Sequence, residues 1–300
     1  MTPSEQRYLM TASTLGGSFD RPPAAGSKDL DTAMISQSSP RSLHVHGADR
    51  FLRHACTPIP PLGPGTCRIC HGSASTRSGA CTSCLQSCAQ VPHPCRLIVP
   101  ISLTEPSGRL HRVLIEYKRS HRGPDRERFS HYLLTLLDHF LEGHHHCISR
   151  AAGGSWDLAC VVPSTSPELH GVDTLHPLEA LAGRAEHIGR LEPGLLERNP
   201  QVPLAHNHGS PRAYRVANPT LAGKRVLLLD DTFTTGARIQ SAASTLSVAG
   251  AQVLACLVIG RVINPFFDAS TRRFWTYASA RPFSFSACSI CHSPSDSREA

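Results

Sequence analysis

The chain is poor in aromatic residues and has no long apolar run. Aromatic side chains make up 6% of its 300 residues, and the hydrophobic share is 40%. Both values are a little low for a globular protein, so we expect a packed core in part of the chain only. No apolar stretch approaches the roughly 20 residues that a membrane-crossing helix needs, so the sequence predicts no transmembrane segment.

A secretory signal is also missing. Residues 1–26 contain no basic segment followed by an apolar stretch and a small-residue cleavage site, which predicts a cytoplasmic chain. In that compartment the 12 cysteines are not expected to form a disulfide framework. Several of them stand in Cys-x-x-Cys pairs, which indicates metal binding instead. The net charge of +7 favours anionic partners such as phosphates or nucleic acid.

Composition divides the chain into four parts. Residues 1–55 are rich in Ser, Thr, Gly and Pro without a periodic pattern, and we predict a disordered tail there. Residues 56–95 hold seven cysteines and few apolar side chains, so this segment needs a metal to fold. Residues 96–263 carry the periodic patterns of a domain, and residues 264–300 are predicted to be an irregular tail that ends in another cysteine pair.

Short apolar runs alternate with helical stripes between residues 96 and 263. A continuous apolar run is typical of a strand buried on both faces, whereas apolar residues at three- and four-residue steps are typical of a helix facing a core. The predicted strands are residues 97–101, 158–162, 226–229 and 253–259, and the predicted helices are centred on 110–117, 129–141, 178–188 and 239–246. This alternation predicts an α/β fold with a parallel sheet.

Two acids and a short polar loop follow the third predicted strand. Asp230 and Asp231 come directly after that strand, and Gly236 closes the loop before a helix. The ligand crevice of an open parallel sheet lies at the carboxyl ends of its strands, and free N–H groups at a helix N-terminus attract anions. The loop therefore suits a phosphate, while the two acids suit the hydroxyl groups of a ribose. A ribose 5-phosphate fits both.

Residues 226–237, with the sequence VLLLDDTFTTGA, resemble the phosphoribosyl-pyrophosphate signature of type I phosphoribosyltransferases. An apolar strand, two acids, a small residue and Thr-Thr-Gly stand at the matching positions. The wider layout resembles the ComF-like (competence protein F) members, in which a zinc-finger-like module precedes the transferase domain. Residues 110–119, 161–165 and 212–216 resemble, in turn, the helix before that family's flexible basic loop, the strand before its pyrophosphate loop and its basic stretch.

The resemblance implies a fold, a reaction and a set of site residues. The fold would be the type I phosphoribosyltransferase fold, with a parallel sheet and a small N-terminal zinc-binding module. The reaction would be Mg²⁺-dependent transfer of a phosphoribosyl group from phosphoribosyl pyrophosphate to a nitrogen acceptor, with Asp230 and Asp231 as catalytic residues. The same two acids would bind the phosphoribosyl group together with Thr232, Phe233, Thr234, Thr235 and Gly236.

The resemblance also implies candidates for contact with the pyrophosphate, and these leave an alternative open. The candidates are Lys118, Arg119, Ser164 and Thr165. Residues 164–175 contain no Lys or Arg, although the family has an Arg-rich stretch there, and residues 118–128 are equally consistent with a solvated charged loop. The alternative is a non-catalytic ComF-like protein that senses a nucleotide or binds single-stranded nucleic acid in DNA uptake. A scaffold with a relict site is a third hypothesis, which the intact acids disfavour.

Two closely spaced Cys-x-x-Cys pairs predict a structural zinc site. Four thiolates can close a tetrahedron around Zn²⁺, and the predicted ligands are Cys67, Cys70, Cys81 and Cys84. The alternative is free thiols in an unstructured segment. No aromatic residue lies between residues 67 and 95, which disfavours base stacking by this segment.

The remaining cysteines and a histidine run have weaker patterns. Cys288 and Cys291 form a further metal-binding pair that could dock onto the N-terminal module, and Cys56, Cys88 and Cys95 could substitute as ligands there. Residues 144–146 are three histidines that we interpret as a solvated helix end. The simplest interpretation of three other cysteines is as small core residues, namely Cys147, Cys160 and Cys256.

Overall fold

The computed structural model describes residues 40–74, 78–119, 122–164, 176–217 and 221–291. They belong to one compact unit, Ser39–Ala300, which contains both the predicted cysteine module and the predicted α/β domain. The helices are α1 (Pro40–Ala55), α2 (Thr82–Ala89), α3 (Arg109–Arg119), α4 (Gly123–Ala151), α5 (Pro177–Ala182), α6 (Ala237–Val248) and α7 (Ala269–Ser279). The strands are β1 (Ile98–Thr104), β2 (Leu158–Val161), β3 (Leu196–Arg198), β4 (Tyr214–Val216), β5 (Arg225–Phe233) and β6 (Gln252–Val262).

A four-stranded parallel sheet forms the centre of this unit. Its strand order is β1-β6-β5-β2, and all three pairings are parallel. The two inner strands, β5 and β6, are buried along most of their length. The four predicted strands and the α/β class are therefore confirmed. Strands β3 and β4 form a separate antiparallel pair.

Alternate side chains of β5 supply two cores, one on each face of the sheet. Leu227 and Leu229 belong to a core that includes buried residues of α3, α4 and α5. Val226 and Leu228 belong to the other, which includes residues of α6 and of the cysteine segment. The predicted apolar stripes of α3 and α4 are confirmed, because those residues are buried in the first core.

Three segments differ from the predictions. Helix α1 lies within the predicted disordered tail, where Ala48 and Leu52 are buried. Helix α7 lies within the predicted irregular C-terminal segment, and its N-terminus is capped by the Asp268 side chain. The predicted helix over 178–188 ends at Ala182 and is followed by a short 3-10 helix. Among the side chains that the structure describes, α1 buries only small or isolated apolar residues and α7 buries Phe274 and Ala278, so neither shows a long apolar stripe there.

The described helices do not have the character of membrane-spanning helices. Among the helices of the described part of the chain, none combines the length and the apolar character that a bilayer crossing requires.

Candidate functional site

The loop after β5 borders a cavity at the N-terminus of α6. Strand β5 runs on to Phe233, so the loop is shorter than the predicted 232–236. Gly236 is the N-cap residue of α6 and has a φ of 88°, which L-residues with a side chain rarely adopt. The cavity has a volume of about 300 Å³ and is lined by Leu204, Ala205, His206, Asp230, Thr232, Phe233, Thr234, Thr235, Gly236, Ala237, Arg238 and Ile239.

Asp230 lines this cavity and is almost fully buried, with 3% of its surface exposed. Its Oδ1 accepts a hydrogen bond from the Asp231 N–H at 3.0 Å and lies 3.5 Å from Nη2 of Arg238. Arg238 Nη2 also donates to the carbonyl of Pro163 at 3.2 Å, which ties the end of β2 to the site. Burial raises the pKa of Asp230 to about 6, and the nearby Arg238 guanidinium opposes that rise.

Asp231 faces α3 and is 1% exposed. Its Oδ2 accepts a hydrogen bond from the Tyr117 hydroxyl at 2.5 Å and pairs with Nζ of Lys118. Burial alone would raise the pKa of Asp231, but Lys118, Arg238 and the Tyr117 hydroxyl outweigh it, so the pKa lies below its usual value. Among the described residues, Oδ1 of Asp231 has no hydrogen-bond partner, and Asp231, unlike Asp230, is not one of the residues that line the cavity.

The structure brings most of the predicted site residues together. Lys118 ends α3 and reaches Asp231, whereas the neighbouring Arg119 is exposed. Ser164 directly follows Pro163, whose carbonyl contacts the site, and Thr165 lies outside the described residues. Sequence reasoning missed the roles of Tyr117 and Arg238. Tyr117 stood in the predicted core stripe, where a buried hydroxyl needs a partner, and that was the available signal.

The four predicted zinc ligands form a compact group in the cysteine segment. One ligand atom from each of Cys67, Cys70, Cys81 and Cys84 lies within 4.8 Å of all the others. The Cys81 N–H donates to Cys67 Sγ at 3.2 Å. Cys81 is the N-cap residue of α2, where the helix dipole favours a thiolate. These residues could hold a metal ion such as zinc.

Arg261 connects this cysteine group to the loop after β5. It lies on β6 with 7% of its surface exposed, and its Nε donates to Cys70 Sγ at 3.3 Å. Its Nη1 donates to the carbonyls of Thr234 at 2.8 Å and Phe233 at 3.3 Å, and also to that of Val262. Sequence reasoning missed Arg261. The signal was an arginine close after a buried apolar run, since a buried charge requires partners.

A second group could also hold a metal, and it corrects three predictions. Cys288 and Cys291 lie beside His144 and Cys147 on α4, not beside the N-terminal cysteine group. Cys147 is therefore not simply a core residue, and His144 is buried instead of solvated. Cys56, Cys88 and Cys95 belong to neither group. The expected burial of two other cysteines in the sheet is confirmed for Cys160 and Cys256.

Comparison with known proteins gives no assignment. No protein-family model matches the chain, and no curated protein matches it either. A proposal of function therefore depends on the geometry around β5 and on the sequence of residues 226–237.

Substitution of Gly236 tests whether the loop needs its backbone conformation. A Cβ at this position would lie 2.8 Å from Cζ of Phe233 and 3.2 Å from Oγ of Ser87. Gly236→Ala is expected to cost about 1–2 kcal/mol for the left-handed backbone and at least about 1 kcal/mol more for the clash. Urea denaturation measures both effects together.

Gly223→Ala is the matched control, because Gly223 also has a positive φ of 74° but a Cβ there meets no atom of the described residues within 4 Å. We expect the control to lose only the backbone contribution. Equal losses at the two positions would show that the contact with Phe233 does not constrain the loop.

Proposed function

We propose that the chain is a ComF-like phosphoribosyltransferase with a type I phosphoribosyltransferase fold. It would bind Mg²⁺–phosphoribosyl pyrophosphate, or a ribose 5-phosphate nucleotide, and transfer the phosphoribosyl group to a nitrogen acceptor. One observation carries the proposal. Two adjacent buried acids lie near the C-terminal end of a central strand of a parallel sheet, and the first of them lines a cavity at the N-terminus of the following helix.

The phosphate group would occupy the loop end of this cavity. The first N–H groups of α6 have no partner within the helix, and together with the helix dipole they attract an anion. Thr232, Thr234 and Thr235 line the same cavity and carry hydroxyl donors on short side chains. A volume of about 300 Å³ is at the lower end of the range for small-molecule sites.

The ribose would lie against Asp230, which lines the cavity, and a ribose hydroxyl would donate to its carboxylate. Asp231 does not line the cavity and would act on the ribose through its negative charge. Because Arg238 and Lys118 already lie against the two carboxylates, the acids can remain charged despite their burial.

Magnesium fits this site as a companion of the substrate. Mg²⁺ takes oxygen ligands and is commonly held by substrate phosphates together with one or two carboxylates, and two acids are present here. When bound, it would neutralise charge on the pyrophosphate. The acids would then stabilise the positive charge that develops on the ribose as pyrophosphate leaves, and Lys118 is the cation that the family resemblance implies for the departing anion.

Isothermal titration calorimetry with phosphoribosyl pyrophosphate and Mg²⁺ tests the proposal. We expect binding by the native, zinc-loaded chain and a loss of affinity of about 100-fold or more in Asp230→Asn/Asp231→Asn, equivalent to about 2.7 kcal/mol. The matched control is Asp125→Asn/Asp157→Asn, which removes two charges from partly exposed positions outside the cavity. This control should bind as the native chain does.

The outcomes separate the candidate functions. Binding that only the Asp230/Asp231 variant loses, followed by pyrophosphate release in a screen of nucleobase acceptors, would support the transferase. Binding without release for any acceptor would favour a nucleotide sensor. The absence of binding by folded native protein would overturn the proposal and favour a nucleic-acid-binding role, which steeply salt-dependent binding of a single-stranded oligonucleotide would reveal.

A further inference from the structure

The second cysteine–histidine group joins two distant parts of the chain. His144 and Cys147 stand one turn apart on α4, and Cys288 and Cys291 lie at the end of the described C-terminal segment. The two C-terminal sulfur atoms are 3.3 Å apart. The Nδ1 atom of His144 lies 3.4 Å from Cys291 Sγ and 3.9 Å from Cys147 Sγ. Three sulfurs and one imidazole nitrogen therefore converge on one point.

The hydrogen bonding of His144 determines which of its nitrogens faces this point. Its Nε2 lies 2.9 Å from the carbonyl oxygen of Phe285. A carbonyl can only accept, so Nε2 carries the proton, and in the neutral ring the lone pair is on Nδ1. That is the nitrogen directed at the sulfurs. Histidines that bind metals usually donate their second N–H to a carboxylate, a backbone carbonyl or water in this way.

The backbone around Cys288 is arranged to support a thiolate. Cys288 Sγ accepts hydrogen bonds from the N–H groups of Ile290 at 3.4 Å and Cys291 at 3.2 Å. The same turn places both sulfurs on one side, next to α4. Donors that are fixed in the backbone stabilise the charged form of the sulfur. This observation is independent of the His144 geometry.

We propose that His144, Cys147, Cys288 and Cys291 form a second structural zinc site that fastens the C-terminal segment to α4. Three thiolates and one imidazole are a ligand set of closed structural zinc sites, and thiolate ligands disfavour hard cations such as Mg²⁺ or Ca²⁺. All four positions are taken by protein side chains, so the site has no open position for catalysis. It is separate from the loop after β5 and does not depend on the proposed function.

The contacts of the C-terminal segment indicate what the zinc would hold in place. Phe283 is buried in the core that includes α4. Phe285 packs edge-on against His139 with ring centroids 4.9 Å apart, and the guanidinium of Arg53 lies 5.4 Å from its ring. The contacts of two aromatic rings stabilise the segment that follows α7 only weakly. A metal bound to α4 would secure it far more firmly than these contacts.

Zinc content and ligand type test the proposal on the full-length protein. Elemental analysis of reduced, purified native chain should give two zinc ions per chain. Cys147→Ser/Cys291→Ser and Cys67→Ser/Cys70→Ser should each retain one zinc ion.

X-ray absorption reports the ligand type. It should find seven sulfurs and one nitrogen in total at the two native sites, and three sulfurs and one nitrogen at the site that Cys67→Ser/Cys70→Ser keeps. Cys88→Ser, whose cysteine belongs to neither group, should retain both ions.

Hydrogen exchange and a milder variant provide the second readout. In Cys147→Ser/Cys291→Ser we expect amides 283–291 to exchange at least tenfold faster, while the loop after β5 keeps its protection. Should that variant not fold, His144→Gln should release one of the two zinc ions faster to a chelator, and His144→Cys should restore its retention.

Three results would overturn the proposal. These are a single zinc ion in the native chain that Cys67→Ser/Cys70→Ser removes, unchanged zinc in Cys147→Ser/Cys291→Ser, or a Cys288–Cys291 disulfide in the reduced preparation.

Discussion

Cys67→Ser/Cys70→Ser is expected to unfold the cysteine segment around α2. Between Thr66 and Cys84, the buried apolar side chains among the described residues, cysteines aside, are Ile69 and two alanines. This is too little burial to offset the conformational entropy of the segment. Structural zinc contributes about 10 kcal/mol or more to the folding of small zinc modules at neutral pH. Hydrogen exchange should therefore show complete loss of protection at residues 66–74 and 78–89.

Chelation of zinc from the native protein should produce the same exchange pattern, and zinc should reverse it. The control is Cys88→Ser, which replaces a half-buried cysteine of the same helix outside the four-cysteine group. It should leave the segment protected. If the double variant kept full protection, then packing against the sheet, and not the metal, would hold the segment.

Arg261→Met is expected to destabilise the fold by about 3–5 kcal/mol, the usual effect of breaking a buried charged network. The substitution removes the donor to Cys70 Sγ and to the carbonyls of Thr234 and Phe233. It keeps the apolar stem but leaves these acceptors without their arginine donor, and unsatisfied buried groups cost about 1–3 kcal/mol each. Urea denaturation of the zinc-loaded protein measures the loss.

Two further variants make the Arg261 result interpretable. Arg261→Lys keeps the charge but replaces the planar guanidinium, with its several N–H donors, by a single ammonium nitrogen. We therefore expect a loss of stability between those of the native chain and Arg261→Met. Arg272→Met, at an exposed position on α7, should change stability by less than about 0.5 kcal/mol. A loss at Arg261 as small as that at Arg272 would mean that the guanidinium contacts do not stabilise the fold.

Features that depend on neighbours in sequence could be predicted. The strands were visible as apolar runs because parallel strands are buried on both faces. Asp230 and Asp231 stand side by side, and the four cysteines of the first group lie within 18 residues. Local spacing was therefore sufficient to identify the acids, the loop and the first cysteine group.

Features that depend on tertiary contacts could not be predicted. The spacing of Cys288 and Cys291 indicates a metal pair but does not say that His144, 144 residues earlier, would be its neighbour. In the sequence, Tyr117 is one of several positions on the buried stripe of a helix. Only the fold shows that its hydroxyl donates a hydrogen bond to Asp231. Arg238 required knowledge of how α6 lies beside β2. Each of these contacts depends on packing between separate elements, on which a single sequence carries little information.

The position of Arg261 has a consequence for how the two ends of its hydrogen-bond network respond to binding. One guanidinium contacts a cysteine of the four-cysteine group and the backbone of the loop after β5. If occupancy of the loop changes the affinity for zinc by some factor, then zinc must change the affinity of the loop for its ligand by the same factor, because linked binding equilibria are reciprocal. A change in zinc occupancy would then change the affinity for the small molecule, with the metal acting as a remote effector.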